Sequence, residues 1–195
     1  MRNAAILALF IALSAPTVGL GSPVSVNCGV GYNKSVNEGA PDGAVGIHGS
    51  LLVKAQRNLS AGLEVGYLDL GTYYTVLFGS QADAIGSADV TQIPITAGFE
   101  YNLSPEGTMH PLLVGGVGLY VSKIDAEVTV LGQQGSLTLS DSSTETDLGF
   151  NLGSGIKFGR ESQTVRFGAD ARFHVVLTEE ESTRMVNVMG RLYFN

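Results

Sequence analysis

Residues 164–177 read TVRFGADARFHVVL, and apolar residues occupy every second position. The apolar positions are Val165, Phe167, Ala169, Ala171, Phe173, Val175 and Leu177. Between them stand Arg166, Gly168, Asp170, Arg172 and His174, with Val176 as the exception. A period of two is typical of a β-strand, because successive side chains leave opposite faces of the pleat. The apolar face fits either the core of a soluble sandwich or the lipid-facing wall of a transmembrane barrel with a charged lumen.

The composition favours the membrane alternative. Charged residues make up 15% of the 195 residues, against about 25% in a typical soluble domain, and 44% are hydrophobic. The net charge of −7 argues against a nucleic-acid partner, since phosphate binding needs a basic patch. Cys28 is the single cysteine, so it forms no internal disulfide and belongs to no cluster of metal ligands. We therefore expect no metal site and no cofactor.

The N-terminus has the features of an export signal. Residues 1–3 carry a positive charge, residues 4–13 form an apolar run, and Gly19 and Gly21 supply the small residues of a cleavage site. The run is about half as long as the roughly 20 residues that a membrane-spanning helix needs. Residues 1–21 are therefore predicted to be a secretory signal peptide, and residues 22–195 a single exported domain.

Alternation recurs along the rest of the chain and predicts eight strands in all. Besides residues 164–177, the predicted strands are 24–32, 43–56, 59–67, 92–103, 110–122, 147–158 and 184–195. Because of its glycines, the sequence does not indicate which face of segment 110–122 points into the lumen and which points outward. Residues 71–89, rich in Gly, Ser, Ala and Asp, are predicted to form a long loop, and residues 123–146 a hairpin standing on the rim.

The connections and the aromatic residues favour a barrel over a sandwich. Links at 57–58, 104–109 and 159–163 are short, whereas those at 33–42, 71–89 and 123–146 are longer, as in outer-membrane barrels whose termini both lie on the periplasmic side. Aromatic girdles are expected where lipid meets water. The predicted girdle residues are Tyr101, Phe158, Phe167 and Phe194 near the short turns, and Tyr32, Tyr67, Phe150 and Phe173 near the long connections.

With its signal peptide, eight strands, Gly-rich segment PLLVGGVGLY at 111–120 and aromatic C-terminus, the chain resembles the small outer-membrane β-barrels of the OmpA, OmpX and OmpW type. The resemblance implies a place in the outer membrane of a Gram-negative cell, contact with its lipid and lipopolysaccharide, and insertion by the barrel-assembly machinery. Family members usually end on Phe, whereas here Phe194 is followed by Asn195.

The predicted lumen-facing charges are nearly balanced, as buried charges must be if each is to find a partner. The acids are Glu64, Glu100, Asp147 and Asp170, and the bases are Lys54, Lys157, Arg166, Arg172 and Arg191. This set predicts a salt-bridged network that fills the lumen, with a selective pore as the alternative. The predicted lipid-facing residues are Val165, Phe167, Ala169, Ala171 and Phe173.

Catalysis is not expected. Some small barrels of this membrane are lipid-modifying enzymes that use His with Ser and an acid, but His48, His110 and His174 show no such pairing in the sequence. The sequence therefore predicts a non-enzymatic barrel with a role in envelope integrity or surface contact, its receptor unidentified. The alternatives are a narrow channel for small apolar or ionic solutes, as in OmpW, and a soluble exported lipocalin-like carrier.

Overall fold

The computed structural model describes residues 24–40, 42–78, 82–132, 135–178 and 182–194. The predicted signal peptide lies outside these residues. The described chain forms eight strands, whose bounds are β1 Val24–Ser35, β2 Ala44–Lys54, β3 Leu59–Phe78, β4 Ala82–Asn102, β5 Met109–Gly132, β6 Gly135–Phe158, β7 Val165–Leu177 and β8 Thr183–Phe194. None of the described residues forms a helix long and apolar enough to cross a membrane.

The strands form a closed barrel in which each strand pairs antiparallel with the next. Closure comes from β1 and β8, whose register runs from Val26 opposite Phe194 to Ser35 opposite Met185. The predicted eight-stranded, antiparallel, up-and-down barrel is thus confirmed. A ring of eight strands encloses an interior that side chains can just fill.

The alternation read from the sequence reappears as alternating burial. Along β7, Arg166, Asp170, Arg172 and His174 are buried, while Val165, Phe167, Ala169, Ala171 and Phe173 are exposed on the outer wall. Along β5, whose faces the sequence left open, burial places His110, Leu112, Val114 and Tyr120 inside, and Leu113, Val117 and Leu119 outside.

Strands β3 to β6 are about twice as long as the other four, with 20, 21, 24 and 24 residues against 11 to 13. The pairing of β2 with β3 ends at Leu68, and that of β6 with β7 ends at Leu148. Beyond these points β3 to β6 continue as a four-stranded sheet. We call residues 71–78, 82–91, 123–132 and 135–146 the projecting sheet.

The prediction of a loop at 71–89 is wrong, because most of this segment lies in β3 and β4. A β-bulge between Asp69 and Gly71 shifts the register, so the period of two changes phase there. Gly71 has a φ of 90°, a backbone conformation that glycine adopts more readily than other residues. The hairpin predicted at 123–146 is confirmed, as a continuation of β5 and β6.

Candidate functional site

Four charged side chains meet in the middle of the lumen. Arg172 donates from Nη1 to Oε2 of Glu64 at 2.6 Å and from Nη2 to Oε1 at 3.2 Å, a bidentate pair. Its Nε donates to Oδ1 of Asp170 at 3.1 Å, and Arg191 forms a second ion pair with the same carboxylate. All four side chains are buried. We call Glu64, Asp170, Arg172 and Arg191 the central ion cluster.

The central ion cluster is balanced in charge and extended by neutral groups. Asn151 Oδ1 accepts a hydrogen bond from Arg172 Nη1 at 3.2 Å, and Asn27 Oδ1 accepts one from Arg191 Nη1 at 3.0 Å. Gly98 leaves the space for the Glu64 carboxylate, since a Cβ at this position would overlap it. Burying a charge is costly unless it is paired and hydrogen-bonded, and here two acids meet two bases.

A separate ion pair, outside the central ion cluster, lies closer to the short turns. Lys157 contacts the Glu100 carboxylate, and its Nζ lies 4.3 Å from the centroid of the Tyr193 ring, within the range of a cation–π interaction. Arg166 is buried in the same part of the lumen, and its Nε has no hydrogen-bond partner among the described residues.

The structure brings most of the predicted lumen charges inside but not all of them. Those that are buried are Glu64, Glu100, Asp170, Lys157, Arg166, Arg172 and Arg191. The placement of Lys54 in the lumen is wrong: its side chain is 44% exposed and pairs with Glu161 at 3.3 Å at the short-turn end. Asp147 is half-buried, and its Oδ2 has no hydrogen-bond partner among the described residues.

An apolar layer closes the lumen on the side of the projecting sheet. Its buried members are Leu68, Leu70, Tyr120, Val176, Met185 and Met189, and Val90 packs against them. We call these residues the mouth cluster. Tyr120 links the layer to the polar interior, because its hydroxyl lies 3.0 Å from Nδ1 of His174. A smaller buried apolar group on the other side of the lumen consists of Leu112, Val114 and Tyr193.

Sequence reasoning missed the mouth cluster as a unit. The sequence indicates this cluster only through apolar residues that interrupt the alternation. The clearest of them is Val176, which lies on the charged face of β7. Met185 and Met189 lie four residues apart on β8 and so face the same side of the sheet. An apolar residue on the inner face of such a strand indicates a dry layer in the lumen.

The predicted girdle residues all lie on the outer surface. Phe158 and Phe167 stack with ring centroids 5.5 Å apart and an angle of 27° between the rings. Exposed or half-buried on the outer wall are Tyr32, Tyr67, Tyr101, Phe150, Phe158, Phe167, Phe173 and Phe194. Cys28 is half-buried and lines an open apolar groove of about 520 Å³ that runs across β7, β8, β1, β2, β3 and β4.

The histidines contact backbone oxygens and neighbouring side chains within the barrel. Both ring nitrogens of His110 lie 2.8 Å from backbone oxygens, those of Ser104 and Gly159, and so join two short turns. His48 lies with Nε2 at 3.8 Å from the Glu64 carboxylate. Among the described residues, no group of three His, Cys, Asp or Glu side chains is arranged to hold a metal ion.

Comparison with known proteins yields one family and several related structures. The family model for the outer membrane protein beta-barrel domain matches residues 4–189. The attachment invasion locus protein Ail of Yersinia pestis is 16% identical with a TM-score of 0.51, over 88% of this chain and 97% of Ail. Neisserial surface protein A is 14% identical with a TM-score of 0.50, over 89% of this chain and 97% of the other. A search of curated protein sequences found no match.

Proposed function

Because the chain belongs to the family of outer membrane protein β-barrel domains, we propose that it is a non-enzymatic barrel of the Gram-negative outer membrane with a role in surface contact or envelope integrity. In this proposal the projecting sheet stands outside the cell and both termini lie in the periplasm. The orientation is supported by the short turns, which lie at the same end of the barrel as Val24 and Phe194.

The observation that carries the proposal is the filled lumen. The central ion cluster occupies its middle, and the mouth cluster closes it on the side of the projecting sheet. The projecting sheet then supplies most of the surface available for contact outside the cell, beside the shorter connections between β1 and β2 and between β7 and β8. Ail, whose name describes attachment and invasion, has the same fold. The proposed partners are membrane lipid and lipopolysaccharide around the wall, and the barrel-assembly machinery during insertion.

A narrow channel for small apolar or ionic solutes remains the second candidate, because part of the lumen has unsatisfied polar atoms. Asn27 Nδ2, His48 Nδ1 and Ser50 Oγ are buried without a hydrogen-bond partner among the described residues. Such atoms are ordinarily satisfied by water. The soluble carrier is not retained, since in water the many exposed apolar side chains of the outer wall would form an unusually large apolar surface.

Conductance in planar bilayers distinguishes the filled barrel from the channel. We expect the purified protein to conduct little or only intermittently, because the ion pairs and the mouth cluster leave little room for water. Arg172→Ala is expected to raise the conductance by opening a gap beside Glu64. A large, steady, ion-selective conductance from the unmutated protein, unchanged in Arg172→Ala, would favour the channel.

Cysteine labelling on intact cells tests the orientation. In a Cys28→Ser background, Leu139→Cys in the projecting sheet is expected to react with a membrane-impermeant thiol reagent. Arg57→Cys, at an exposed position of a short turn, is the matched control and is expected to react only after the outer membrane has been permeabilised. The opposite result for the two variants would invert the barrel and remove the surface role.

A further inference from the structure

The inner face of the projecting sheet carries mostly apolar side chains and continues the inner face of the barrel beyond the mouth cluster. Pairing aligns Ala88 of β4 with Ala126 of β5, and Gly86 with Val128. Cross-strand partners share a face and the period is two, so the same face holds every second residue of each strand. The described apolar side chains on this face are Tyr73, Leu77, Ala84, Ala88, Val90, Ile124, Ala126, Val128, Val130, Leu137 and Leu139.

This inner face is open in the part of the chain that the structure describes. Leu77 is 64% exposed, Val128 42%, and Leu137 and Leu139 60% each. Strands about 4.8 Å apart make a four-stranded face roughly 15 Å wide, enough for an extended peptide. At its base Val90 packs on the mouth cluster, so the apolar surface runs without a break from the sheet to the closed end of the lumen.

The projecting sheet and its base are strongly acidic. Residues 69–91 and 123–147 contain one basic residue, Lys123, whose Nζ lies 2.5 Å from the Asp125 carboxylate. The acids of these segments are Asp69, Asp83, Asp89, Asp125, Glu127, Asp141, Glu145 and Asp147. Asp141 and Glu145 alternate in phase with Leu137 and Leu139, so acidic and apolar groups share the inner face.

From the open apolar face and this charge we propose that the inner face of the projecting sheet binds a cationic amphipathic peptide segment of another protein. The apolar side chains of such a segment cover Val128, Leu137 and Leu139, and its basic side chains meet Asp141 and Glu145. The inference rests on the proposed surface role and specifies its partner.

Charge complementarity favours this segment over the competing occupants. Polyanions such as sulfated glycans are repelled by the acidic sheet, and so is a second copy of this chain, which carries the same charge. A neutral apolar solute gains nothing from Asp141 and Glu145. A cationic amphipathic segment uses both properties of the face.

The experiment measures binding of a fluorescent peptide of alternating Leu and Lys to the purified barrel in phosphatidylcholine nanodiscs, with empty nanodiscs subtracted. We expect saturable binding that weakens with salt, and none for a peptide of alternating Leu and Glu. Leu137→Lys places a charge on the inner face and is expected to weaken binding about tenfold or more. Thr138→Lys, the neighbour on the outer face, adds the same charge and is expected to change binding by about twofold or less.

A third variant tests the polar part of the site. Asp141→Asn combined with Glu145→Gln is expected to lower affinity and to reduce its dependence on salt. Circular dichroism checks that each variant keeps its strands. Equal binding of both peptides, equal effects of Leu137→Lys and Thr138→Lys, or binding of heparin in place of the cationic peptide would overturn the inference. Those outcomes leave the surface role intact, whereas inverted cysteine labelling removes the surface role and leaves the peptide binding unchanged.

Discussion

The projecting sheet and the part of the barrel wall below it are built from the same four strands, β3 to β6. On β5 and β6 their outer faces differ in polarity. On β5 the outward residues of the wall include Leu119 and Val121, and the next outward residues are Lys123 and Asp125. On β6 the outward series changes from Phe150 and Leu148 to Thr146, Thr144 and Ser142. The change falls one outward residue later on β5 than on β6, since the apolar Val121 pairs with the polar Thr146. On β5 and β6 the outer face therefore changes from an apolar to a polar surface, whereas the outer face of β3 still carries the exposed side chains of Tyr74, Val76 and Phe78.

On the inner faces the polarity changes in the opposite direction, from charged in the wall to mostly apolar in the projecting sheet. Within the wall, the inward side holds the central ion cluster, while above the mouth cluster it carries mostly apolar side chains together with Asp141 and Glu145. Each charge of the central ion cluster has a partner and helps to fill the lumen. An apolar side chain on the projecting sheet has water on its open side and gains little from folding, so its presence is better explained by binding than by stability.

The largest effect is expected from the centre of the wall. Arg172→Ala leaves the Glu64 carboxylate without its bidentate partner and is expected to lower the free energy of unfolding by about 3–5 kcal/mol, less if lumen water reaches it. Urea unfolding in lipid vesicles measures the change. Arg57→Ala, which breaks an exposed pair with Glu106, is the control and is expected to cost about 0–1 kcal/mol. Equal losses in the two variants would contradict a buried cluster.

The next effect contrasts the two outer faces. Ala169→Arg places a charge on the wall, and near the membrane midplane it is expected to cost about 2–4 kcal/mol, because the guanidinium must leave water. Thr138→Arg makes the same addition on the outer face of the projecting sheet, where the expected change is within about 0.5 kcal/mol. The same urea titration compares them. A neutral Ala169→Arg would mean that this face does not meet lipid.

The smallest effect is expected from the inner face of the projecting sheet. Leu139→Ser removes an apolar side chain that is already exposed, so the free energy of unfolding is expected to change by about 0.5 kcal/mol or less. Leu112→Ser, inside the wall, exchanges a buried side chain for a polar one and serves as the reference, with a cost of at least about 2 kcal/mol. A large loss from Leu139→Ser would show that the inner face is covered within the folded chain.

The wall could be predicted from the sequence because lipid outside and charge inside enforce a strict period of two. The alternation of residues along β7 is by itself enough to predict that Arg166, Asp170 and Arg172 point into the lumen. The alternation predicts which face of the sheet a side chain leaves, but not whether the residue lies at the middle of the barrel or at its rim. The alternation therefore predicts a lumen position for Lys54, although this residue lies at the rim, where its long side chain reaches Glu161.

The projecting sheet could not be predicted in full for two physical reasons. The bulge before Gly71 changes the phase of alternation, so a search for one continuous pattern ends there. Beyond it, small residues such as Ala88 and Gly86 give the inner face little contrast with the outer one. The glycines of residues 110–122 likewise reduce the contrast between the two faces of that strand. Its inward and outward residues follow from the register against β4 and β6.

The closed ring has a consequence for how the chain folds. Seven of its pairings join strands that are neighbours in sequence, and the remaining one, between β1 and β8, joins the two ends of the domain. Local hairpins form with a small loss of chain entropy, whereas the β1–β8 seam closes a loop of nearly the whole domain. We expect the seam to close last. Substitutions that weaken it, at Gly31 for example, where a Cβ would overlap Met189, should then speed unfolding while leaving the rate of hairpin formation nearly unchanged.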